Sequence, residues 1–556
     1  MSAQIARSSI ARPPRTRRVR HESHATLAAM GRPERARRFD DLQRGLGAAV
    51  AAADEDRPGS TIVVVPSRSV DKWYESPAET QAYEERLLCL ALALDRPNLR
   101  IVYVTSVPVA PATVAHILSL LHEDAAGARE RLTLLSAHDA SSRPLCEKLL
   151  ERPLLVHRIR RAIGDRSLAH LVPYSPTAAD CELALALGIP MYAADPRHAR
   201  FGTKSGCREL FRAEGVAHPL GVENVRSLAQ AVDAVARIRA CKPAVRELVV
   251  KLDEGVSGDG NAILDVRELP RPGVDGERMA IARRLRSMVF EAADARFGPY
   301  VEKLCATGAV VEERIVGSQL RSPSVQLQVT PAGGVEVVST HDQLLGGPGG
   351  QSFIGCSFPA DRAYAAAITD QARIVGERLA REGVVGRFAI DFVVVREPGG
   401  AWDPYAIEIN LRKGGTTHPF LALALLTGGR YEPAMARFTT PGGGDRHLVA
   451  TDHLKIAELR DLGSDELLEV VSRSGLRFDR ARDTGVVLHM LAAAGGAGRI
   501  GLTAIDGSAD GAARLYERAG AVLLEEARAA SAAGASVPVP AAWGAGLRGV
   551  PALAPG

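Results

Sequence analysis

Short apolar runs alternate with amphipathic stretches over residues 56–200. Two of these runs, TIVVVP and RIVYVT, are rich in β-branched residues and predict buried strands. Strands that alternate with helices are typical of a parallel α/β layer, and Gly188 is expected to cap the last helix. In chain order we expect strands at 61–66, 100–105, 132–136 and 189–192, and helices at 78–94, 112–121 and 177–187.

The first predicted strand lacks the glycine-rich turn of dinucleotide-binding domains. It runs into Ser67, Arg68 and Ser69 rather than into G-x-G-x-x-G. Without those glycines the backbone cannot approach a pyrophosphate closely, which argues against a dehydrogenase. We therefore expect residues 56–200 to serve as a scaffold or as one wall of a substrate site.

The character of the sequence changes near residue 200. From 201 to 440 the chain carries glycine loops, charged motifs and segments typical of antiparallel strands. The PGGG stretch at 441–444 is typical of a linker, and residues 441–530 predict a smaller α/β domain. The Ala-, Pro- and Gly-rich end, 531–556, predicts a flexible tail. The predicted fold class is a multidomain protein with α/β and α+β parts.

The net charge of +4 is unevenly distributed along the chain. Residues 1–40 contain ten Arg and three acidic residues, so this head carries +7 and the remaining chain carries −3. The Arg-rich, Pro-containing composition predicts that residues 1–55 are disordered. We favour a solvated extension over an electrostatic tail for an anionic partner. The mildly acidic body gives no reason to expect a nucleic-acid groove.

Composition also argues against several other classes of protein. No apolar run reaches the about 18 residues that a membrane-spanning helix needs, and the first residues lack the apolar stretch of a secretory signal. The seven cysteines are dispersed and form no C-x-x-C pair. This pattern favours reduced thiols over disulfides or a cysteine zinc site, so we expect a cytoplasmic protein.

The most informative stretch is a hairpin predicted for residues 386–415. Two alternating apolar runs flank Pro398-Gly399-Gly400, which is typical of a hairpin loop. Pairing the strands about this loop places Asp391 opposite Glu408. A slip of two residues would still leave the two acids diagonal neighbours on one face.

Residue parity divides this hairpin into a polar and an apolar face. Asp391, Glu408, Asn410 and Arg412 fall on the polar face. Like charges directly across a strand pair are destabilising, and a divalent cation between them removes that penalty. Two carboxylates and an amide oxygen suit Mg²⁺, while Arg412 is placed to stabilise a transferring phosphoryl group. The alternative is a solvent-facing polar side. The apolar face is expected to hold Ile390, Phe392, Ile407, Ile409 and Leu411.

Two lysines lie beside features that can bind phosphate. An apolar run ends at Lys251 and is followed by Gly258 and Gly260, whose backbone N–H groups can wrap phosphate oxygens. The lysine precedes the glycines, so this is not a Walker loop. Lys204 stands before an amphipathic helix predicted at 205–214. The ordinary alternatives are a hairpin turn for the loop and a solvated side chain for Lys204.

Two further segments carry weaker signals for a binding pocket. Residues 310–317 predict a strand that enters a turn and presents backbone groups to an adenine edge, or simply a surface strand. Residues 324–329 predict a strand with one polar face. The loop 341–351 combines a His-Asp-Gln cluster with glycines, as substrate pockets and lids do, although a plain surface histidine is the alternative for His341. The expected substrate-binding residues are Ser324, Gln326, His341, Asp342, Gln343 and Gln351.

Taken in order, these signals resemble the ATP-grasp superfamily over residues 200–435. The resemblance implies two α+β lobes that clasp ATP, preceded by a pre-ATP-grasp α/β domain. The ordered set consists of Lys204, Lys251 with its glycine loop, the strand Glu312-Glu313-Arg314-Ile315, Asp391, and Glu408-x-Asn410-x-Arg412. The resemblance implies nucleotide contacts from Lys204, Lys251, Val256, Ser257, Gly258, Gly260, Glu312, Glu313 and Ile315.

A narrower resemblance covers most of the chain. The stretches YEERLLCLAL, GTKSGCRELF, KLDEGVSGDGN, STHDQLLGG and AIEINLRKGGTTHPF resemble the pheganomycin-type peptide ligases. TDHLKIAEL and DTGVVLHML resemble their small C-terminal domain. The family implies ATP-dependent joining of an amino-acid or peptide carboxylate to an amine in natural-product assembly. The chain departs from the broader superfamily in its loop, which is less glycine-rich and carries Glu254 and Asp259.

The resemblance also implies a mechanism and its participants. ATP with Mg²⁺ or Mn²⁺ is the expected cofactor, small-molecule or peptide carboxylates and amines are the expected substrates, and a homodimer is left open. Lys204 and Lys251 neutralise phosphates while the carboxylate attacks the γ-phosphorus, and Lys251 and Arg412 are the expected catalytic residues. An amine then displaces phosphate. The glycine loop 346–350 is expected to exclude water as a lid.

Two other functions stay open at this point. The same site suits a ligase for another nucleophile, or a kinase that needs a carboxylate but no amine to release ADP. An ATP-binding partner protein without turnover is disfavoured by the presence of Asp391, Glu408 and Arg412 together.

Overall fold

The computed structural model describes residues 30–67, 77–122, 125–255 and 258–532. Its first elements are helices Arg32–Gln43 and Leu46–Asp54. The predicted disorder of the head is therefore wrong for residues 32–54. The reason is pairing and packing: Arg35 donates to Glu182 at 2.6 Å, and the second helix buries an alanine face. Residues 1–29 lie outside the described residues.

The first domain contains a parallel sheet, as predicted. Its strands are β1 Thr61–Val65, β2 Arg100–Thr105, β3 Leu132–Ser136 and β4 Ala169–Pro173. Their order is β3-β2-β1-β4, and each neighbouring pair is parallel. The strand expected at 189–192 is wrong, because only an isolated bridge joins Leu171 to Met191. Pro190 has no N–H to continue a ladder there.

A five-stranded antiparallel sheet follows. Its strands are β5 Gly221–Val225, β6 Glu247–Leu252, β7 Asn261–Asp265, β8 Val289–Phe290 and β9 Ala309–Glu313. They lie in the order β5-β9-β6-β7-β8. Apolar side chains of this sheet pack against helix Leu228–Cys241 in one buried cluster. The polar ends of β6 and β9 are left to form one wall of a cleft.

A larger antiparallel sheet forms the opposite lobe. Its strands are β10 Gln319–Arg321, β11 Pro323–Val329, β12 Val335–Gly346, β13 Ser352–Phe358, β14 Gly386–Arg396 and β15 Asp403–Asn410. The strands β16 Arg430–Glu432 and β17 Arg437–Thr439 form a separate ribbon. The sheet is completed by β18 His447–Lys455, β19 Gly485–His489 and β20 Arg499–Asp506. The order is β10-β14-β11-β12-β13-β18-β20-β19, with β15 paired to β14.

The C-terminal strands continue the sheet of the central lobe. β18 hydrogen-bonds to β13, with Cys356 opposite Ala450. The PGGG stretch expected to be a linker is a tight turn instead, because Gly443 N donates to Thr440 O at 2.9 Å and Thr440 N donates to Gly444 O at 3.0 Å. The C-terminal region is therefore held against the central lobe by a ladder of backbone hydrogen bonds.

Helices connect the strands and cover the sheets. The further α-helices are Pro77–Glu85, Pro111–Leu118, Ala125–Arg131, Leu145–Leu150, Pro153–Ala162, Ala178–Leu187, Lys204–Ala213, Leu228–Cys241, Glu277–Leu285, Phe297–Thr307, Arg362–Arg381, Thr417–Thr427, Ser464–Arg473, Ala494–Ala497 and Ala509–Ala532. The 3₁₀-helices are Arg86–Asp95, Arg166–Leu168, Pro196–Gly202, Pro433–Met435, Ala457–Asp461 and Leu491–Ala493. Among the described helices, none combines the length and the apolarity needed to cross a membrane.

One apolar core runs through all three regions of the chain. Leu87 and Tyr103 of the first domain, Phe358 and Phe420 of the central lobe, and Ile505 of β20 belong to a single buried cluster. A large apolar interface between domains opposes hinge motion. The first and C-terminal domains are therefore packed against the large sheet through a shared core.

Candidate active site

A cleft of about 530 Å³ lies between the five-stranded sheet and the large sheet. The small sheet contributes residues of β6 and β9, and the large sheet contributes residues of β11, β12, β14 and β15. The structure thus brings most of the predicted site residues together. Those that line the cleft are Lys251, Gly258, Glu312, Glu313, Ile315, Ser324, Gln326, Gln343, Gln351, Asp391, Glu408, Asn410 and Arg412.

Asp391 and Glu408 lie opposite each other on adjacent strands, as the hairpin pattern predicts. Asn410 Nδ2 lies 3.0 Å from Asp391 Oδ2 and 3.0 Å from Glu408 Oε1, so the two carboxylates converge on one point. Burial raises the pKa of Asp391, against the hydrogen bond from Ser324. Two carboxylates and an amide that can turn its oxygen toward them fit a hard divalent cation.

The pairing of β14 and β15 shifts by one residue just beyond Asp391. Phe392 lies opposite Ala406 rather than Ile407. Ala406 is buried in the core, whereas Ile407 lines the cleft. The predicted place of Ile407 on the apolar face is therefore wrong, because a bulge adds one residue and reverses the parity of β15.

Lys204 reaches the carboxylate pair from the start of a neighbouring helix. It is the first residue of helix Lys204–Ala213, which Thr203 caps by accepting from Gly206 N at 2.9 Å. The Lys204 ammonium contacts Glu408 Oε2, and the side chain is only 9% exposed. Burial lowers the pKa of Lys204 to about 8, with Lys251 and Arg412 acting in the same direction and Cys207 and Asp391 opposing it. Lys204 is thus placed to exchange Glu408 for a phosphate.

Lys251 is held at the cleft wall by a second buried carboxylate. Its Nζ lies 2.5 Å from Glu312 Oε1, and Glu312 Oε2 accepts from Arg208 Nη1 at 2.7 Å. Burial alone would raise the pKa of Glu312, but Lys251 and Arg208 lower it below its ordinary value. The Glu312 carboxylate therefore positions Lys251.

The segment after β9 leaves backbone groups facing the cleft. Glu313 accepts from Leu220 N at 2.9 Å, and Arg314 N donates to Glu247 O at 3.1 Å. Ile315 and Val316 then line the cleft. Among the described residues neither of these two takes part in a backbone hydrogen bond. Their free N–H and C=O groups suit the edge of a purine.

Two glycine loops meet across the cleft. Gly258 has a φ of +85°, and a Cβ there would lie 2.7 Å from Gln351 O. Asn261 Nδ2 donates to Gln351 Oε1 at 2.8 Å, and Glu291 accepts from Gly349 N at 2.8 Å. The loop of the large sheet is therefore seated directly on the loop of the small sheet.

The remaining predicted loop contacts differ in outcome. Gly260 packs against Gly255, where a Cβ would lie 2.9 Å from the Gly255 Cα, and it is not among the residues that line the cleft. Its contact with a nucleotide stays a prediction, and its close approach in this structure is to the backbone of Gly255. Val256 and Ser257 lie outside the described residues.

The polar face of β11 continues the polar face of β14. Ser324 lies opposite Asp391 in the strand register, and Gln326 Nε2 donates to Ser324 Oγ at 3.1 Å. Gln343 of β12 lines the same cleft. These side chains form a polar floor beside the carboxylate pair.

His341 and Asp342 do not line the cleft, contrary to prediction. They belong to β12, which runs to Gly346, rather than to a loop. His341 is completely buried and packs its ring 5.1 Å from that of Phe358. Asp342 accepts from Tyr364 OH at 2.6 Å. Because the strand is longer than expected, His341 is carried into the core and Asp342, which is half-buried, is held by Tyr364.

Part of the cleft is built by the flanking domains and was not predicted from the sequence. Tyr83, Arg86 and Tyr174 of the first domain and His453 of β18 line one end of it. The Arg86 guanidinium lies 3.6 Å from the Tyr83 ring centre and donates to Tyr174 OH at 2.9 Å. The stretches YEERLLCLAL and TDHLKIAEL contain three of these residues, but their contacts are distant in sequence and leave no local pattern.

This arrangement defines an ATP-grasp enzyme. Two lobes enclose a pair of lysines, the segment that follows β9, and a set of Asp, Glu, Asn and Arg side chains. Family models agree along the chain. A pre-ATP-grasp domain model matches residues 84–189, an IQCH-like ATP-grasp model matches 197–274 and 280–412, and a PGM1 C-terminal domain model matches 466–519. The predicted fold class is thereby confirmed.

The chain belongs to the ATP-grasp carboxylate–amine ligases, in the family of the L-propargylglycine–L-glutamate ligase of Streptantibioticus cattleyicolor. The two are 35% identical over 480 residues, which span 84% of this chain and 94% of that ligase. It is an ATP-binding enzyme that forms carbon–nitrogen bonds. IQ motif-containing protein H of Danio rerio is 25% identical over 51% of this chain and 30% of its own length.

Solved structures with similar chains include a biotin carboxylase of Campylobacter jejuni and an N5-carboxyaminoimidazole ribonucleotide synthetase. The first is 12% identical, covers 84% of this chain and 95% of its own, and has a TM-score of 0.49. The second is 11% identical, covers 85% and 98%, and has a TM-score of 0.48.

Proposed function

We propose that this ligase activates a carboxylate as an acyl phosphate and then joins it to the amine of an amino acid or peptide. The convergence of Asp391, Glu408 and Asn410 beside Lys204 and Arg412 carries the proposal. Such a set places two negative ligands and two cations around one point. That arrangement suits in-line transfer of a phosphoryl group more than any covalent chemistry by the protein.

The charged and polar groups of the cleft have separate proposed roles in binding ATP. Lys204 turns from Glu408 to the nucleotide phosphates, whose negative charge replaces that of the carboxylate, and Lys251 reaches the phosphates while Glu312 positions it. Asp391, Glu408 and Asn410 would hold Mg²⁺ or Mn²⁺, which would neutralise phosphate charge when bound. The free backbone of Ile315 and Val316 takes the adenine edge.

The bond changes then follow from the positions of these groups. A carboxylate oxygen of the substrate attacks the γ-phosphorus, and the bond from phosphorus to the β–γ bridging oxygen breaks to give ADP. Arg412 stabilises the transferred phosphoryl group. The substrate amine attacks the activated carbonyl carbon, phosphate leaves with the former carboxylate oxygen, and the amine loses a proton. The seated glycine loops exclude water, which would otherwise hydrolyse the acyl phosphate.

The substrate end of the cleft supports amino-acid or peptide substrates. The polar floor of Ser324, Gln326 and Gln343 meets Tyr83 and His453 from the flanking domains. Residues 56–200 and 441–530 thus serve as proposed substrate walls on the ATP-grasp core, 201–440. The relative named an L-propargylglycine–L-glutamate ligase supports an amino-acid substrate. A place in natural-product biosynthesis stays a prediction. A cytoplasmic location stays a prediction, in keeping with seven free thiols, and a homodimer is still open.

The test is a phosphate-release screen in which amino-acid carboxylates and amines are supplied in separate and combined pools with MgATP. The proposal predicts phosphate and ADP only when both pools are present, and mass spectrometry then identifies an amide. ADP formation with a carboxylate alone, accompanied by a stable phosphorylated product, would indicate a kinase instead. No ATP turnover in any combination would contradict the proposal.

A further inference from the structure

A second group of polar side chains is buried where the three domains meet. His418 lies on helix Thr417–Thr427, Asp452 on β18, and His489 at the end of β19. His418 and Asp452 are only 2% and 1% exposed. Buried polar groups are costly unless each finds a partner, so the contacts of this cluster indicate its purpose.

The three side chains converge as ligands of one ion do. Nε2 of His418 lies 3.0 Å from Oδ1 of Asp452, and Nδ1 of His489 lies 3.8 Å from the same oxygen. All three ligand atoms lie within 4.8 Å of one another. Two atoms bound tetrahedrally to one zinc ion at about 2.0 Å lie roughly 3.3 Å apart, a value between the two observed distances.

Several atoms of the cluster lack hydrogen bonds. The Nε2 of His418 and the Oδ1 of Asp452 are close, but they are not aligned as donor and acceptor. Within the part of the chain that the structure describes, both ring nitrogens of His418, Nδ1 of His489 and Oδ1 of Asp452 have no hydrogen-bond partner. Such atoms are rare in native proteins, and three of them, Nε2 of His418, Nδ1 of His489 and Oδ1 of Asp452, lie around one point, which favours an ion as their shared partner.

The surroundings orient these atoms. Nε2 of His489 lies 3.2 Å from Thr503 Oγ1, so a hydroxyl holds the far nitrogen of the ring, as is usual for metal-bound histidines. Arg86 pairs with Oδ2 of Asp452 at 2.5 Å and leaves Oδ1 toward the imidazoles. A cavity of about 20 Å³ beside the rings has room for one water molecule as a further ligand.

We propose that His418, Asp452 and His489 bind a zinc ion that joins the central lobe to the C-terminal domain. Two imidazoles and one carboxylate suit zinc better than magnesium, which prefers oxygen ligands. Arg86 holds the far oxygen of Asp452, and Glu85 lines the same small cavity as the two imidazoles. The site is separate from the proposed Mg²⁺ site and takes no part in the proposed reaction.

Metal analysis of the full-length chain tests this site. The protein is produced in zinc-supplemented medium and purified without a metal-affinity step, and its zinc is measured by plasma mass spectrometry. We expect about one zinc per chain in the unaltered protein and at least a tenfold loss in His489→Gln and Asp452→Asn. His170→Gln is the matched control, since His170 is a buried histidine beside Tyr192, outside the cluster, and it should retain the zinc.

A second measurement covers the case in which the variants fold poorly. The unaltered chain is produced with cobalt in place of zinc and its visible spectrum is recorded. Intense absorption bands of cobalt held by nitrogen and oxygen ligands in a tetrahedral site would support the proposal. A zinc-free protein whose cobalt spectrum is that of the hydrated ion would overturn it and leave the cluster as a buried polar network.

Discussion

Glu408 lies directly opposite Asp391 on the neighbouring strand, and the amide nitrogen of Asn410 is 3.0 Å from an oxygen of each. The Lys204 ammonium, at the start of helix Lys204–Ala213, contacts the same glutamate. The carboxylate pair therefore also holds a lysine of the cleft. Any change in the charge of Glu408 should alter both cation binding and the position of Lys204.

Glu408→Gln should abolish ADP formation and leave the fold intact. The substitution keeps the shape of the side chain but removes the charge that a divalent cation needs, and loss of several kcal/mol of charge stabilisation corresponds to a decrease of about 100-fold or more. A coupled ADP assay with circular dichroism measures both. Glu377→Gln, on the exposed face of helix Arg362–Arg381, is the control and should be fully active. Full activity of Glu408→Gln would contradict the proposal that Glu408 is a ligand of the divalent cation.

The activity of the enzyme toward ATP should fall as the pH rises through about 8. Burial lowers the pKa of Lys204 to about 8, so the amine is charged below that pH and neutral above it. A neutral amine no longer attracts phosphate. Lys204→Arg keeps its charge at every accessible pH, so its lower activity should not decline between pH 7 and about 10. Profiles of kcat/KM for ATP that fall equally in both proteins would contradict this role.

Gly258→Ala should reduce kcat/KM for ATP by about tenfold, because a methyl group would lie 2.7 Å from Gln351 O and push the two glycine loops apart. Gly273→Ala is the matched control. Gly273 has a nearly equal φ of +83°, but nothing lies within 4 Å of its Cβ position. Both variants should lose about 1 kcal/mol of stability from backbone strain, and only Gly258→Ala should lose activity. Equal kinetics in the two variants would show that the seated loops do not matter.

Gln326→Leu should raise the KM of the carboxylate or amine substrate by about tenfold, since one polar group of the cleft floor is lost, and should leave the KM for ATP unchanged. Gln328→Leu, two residues further along β11, is the control. Gln328 accepts from Arg387 and is not among the lining residues. Steady-state kinetics with each substrate varied in turn make the comparison. A change confined to the KM for ATP would place Gln326 at the nucleotide end instead.

Local features of the sequence predicted the centre of the site. The hairpin loop fixes the register of its two strands, so Asp391 and Glu408 could be paired from their numbers alone. The same rule failed one residue later at Ile407, because a bulge leaves no clear mark in an alternating pattern. The prediction that His341 lies in a loop failed for a related reason. The strand that carries His341 continues into a glycine-containing segment that resembles a loop in sequence.

Contacts between distant segments could not be predicted in this way. Arg86 meets Asp452 across 366 positions of the chain, and the local pattern around either residue gives no sign of the other. The same applies to β18, whose pairing with β13 joins the C-terminal region to the central sheet. Register within a hairpin follows from a short loop, whereas the docking of domains depends on the complete surfaces that meet.

The route of one oxygen atom tests the account most directly. The substrate carboxylate is labelled with heavy oxygen, and the phosphate released during amide formation is examined by mass spectrometry. Because the carboxylate attacks the γ-phosphorus and phosphate leaves with that oxygen, one labelled oxygen should appear in each phosphate formed. Labelled AMP alongside unlabelled pyrophosphate, or amide formation without any label in phosphate, would contradict activation through an acyl phosphate.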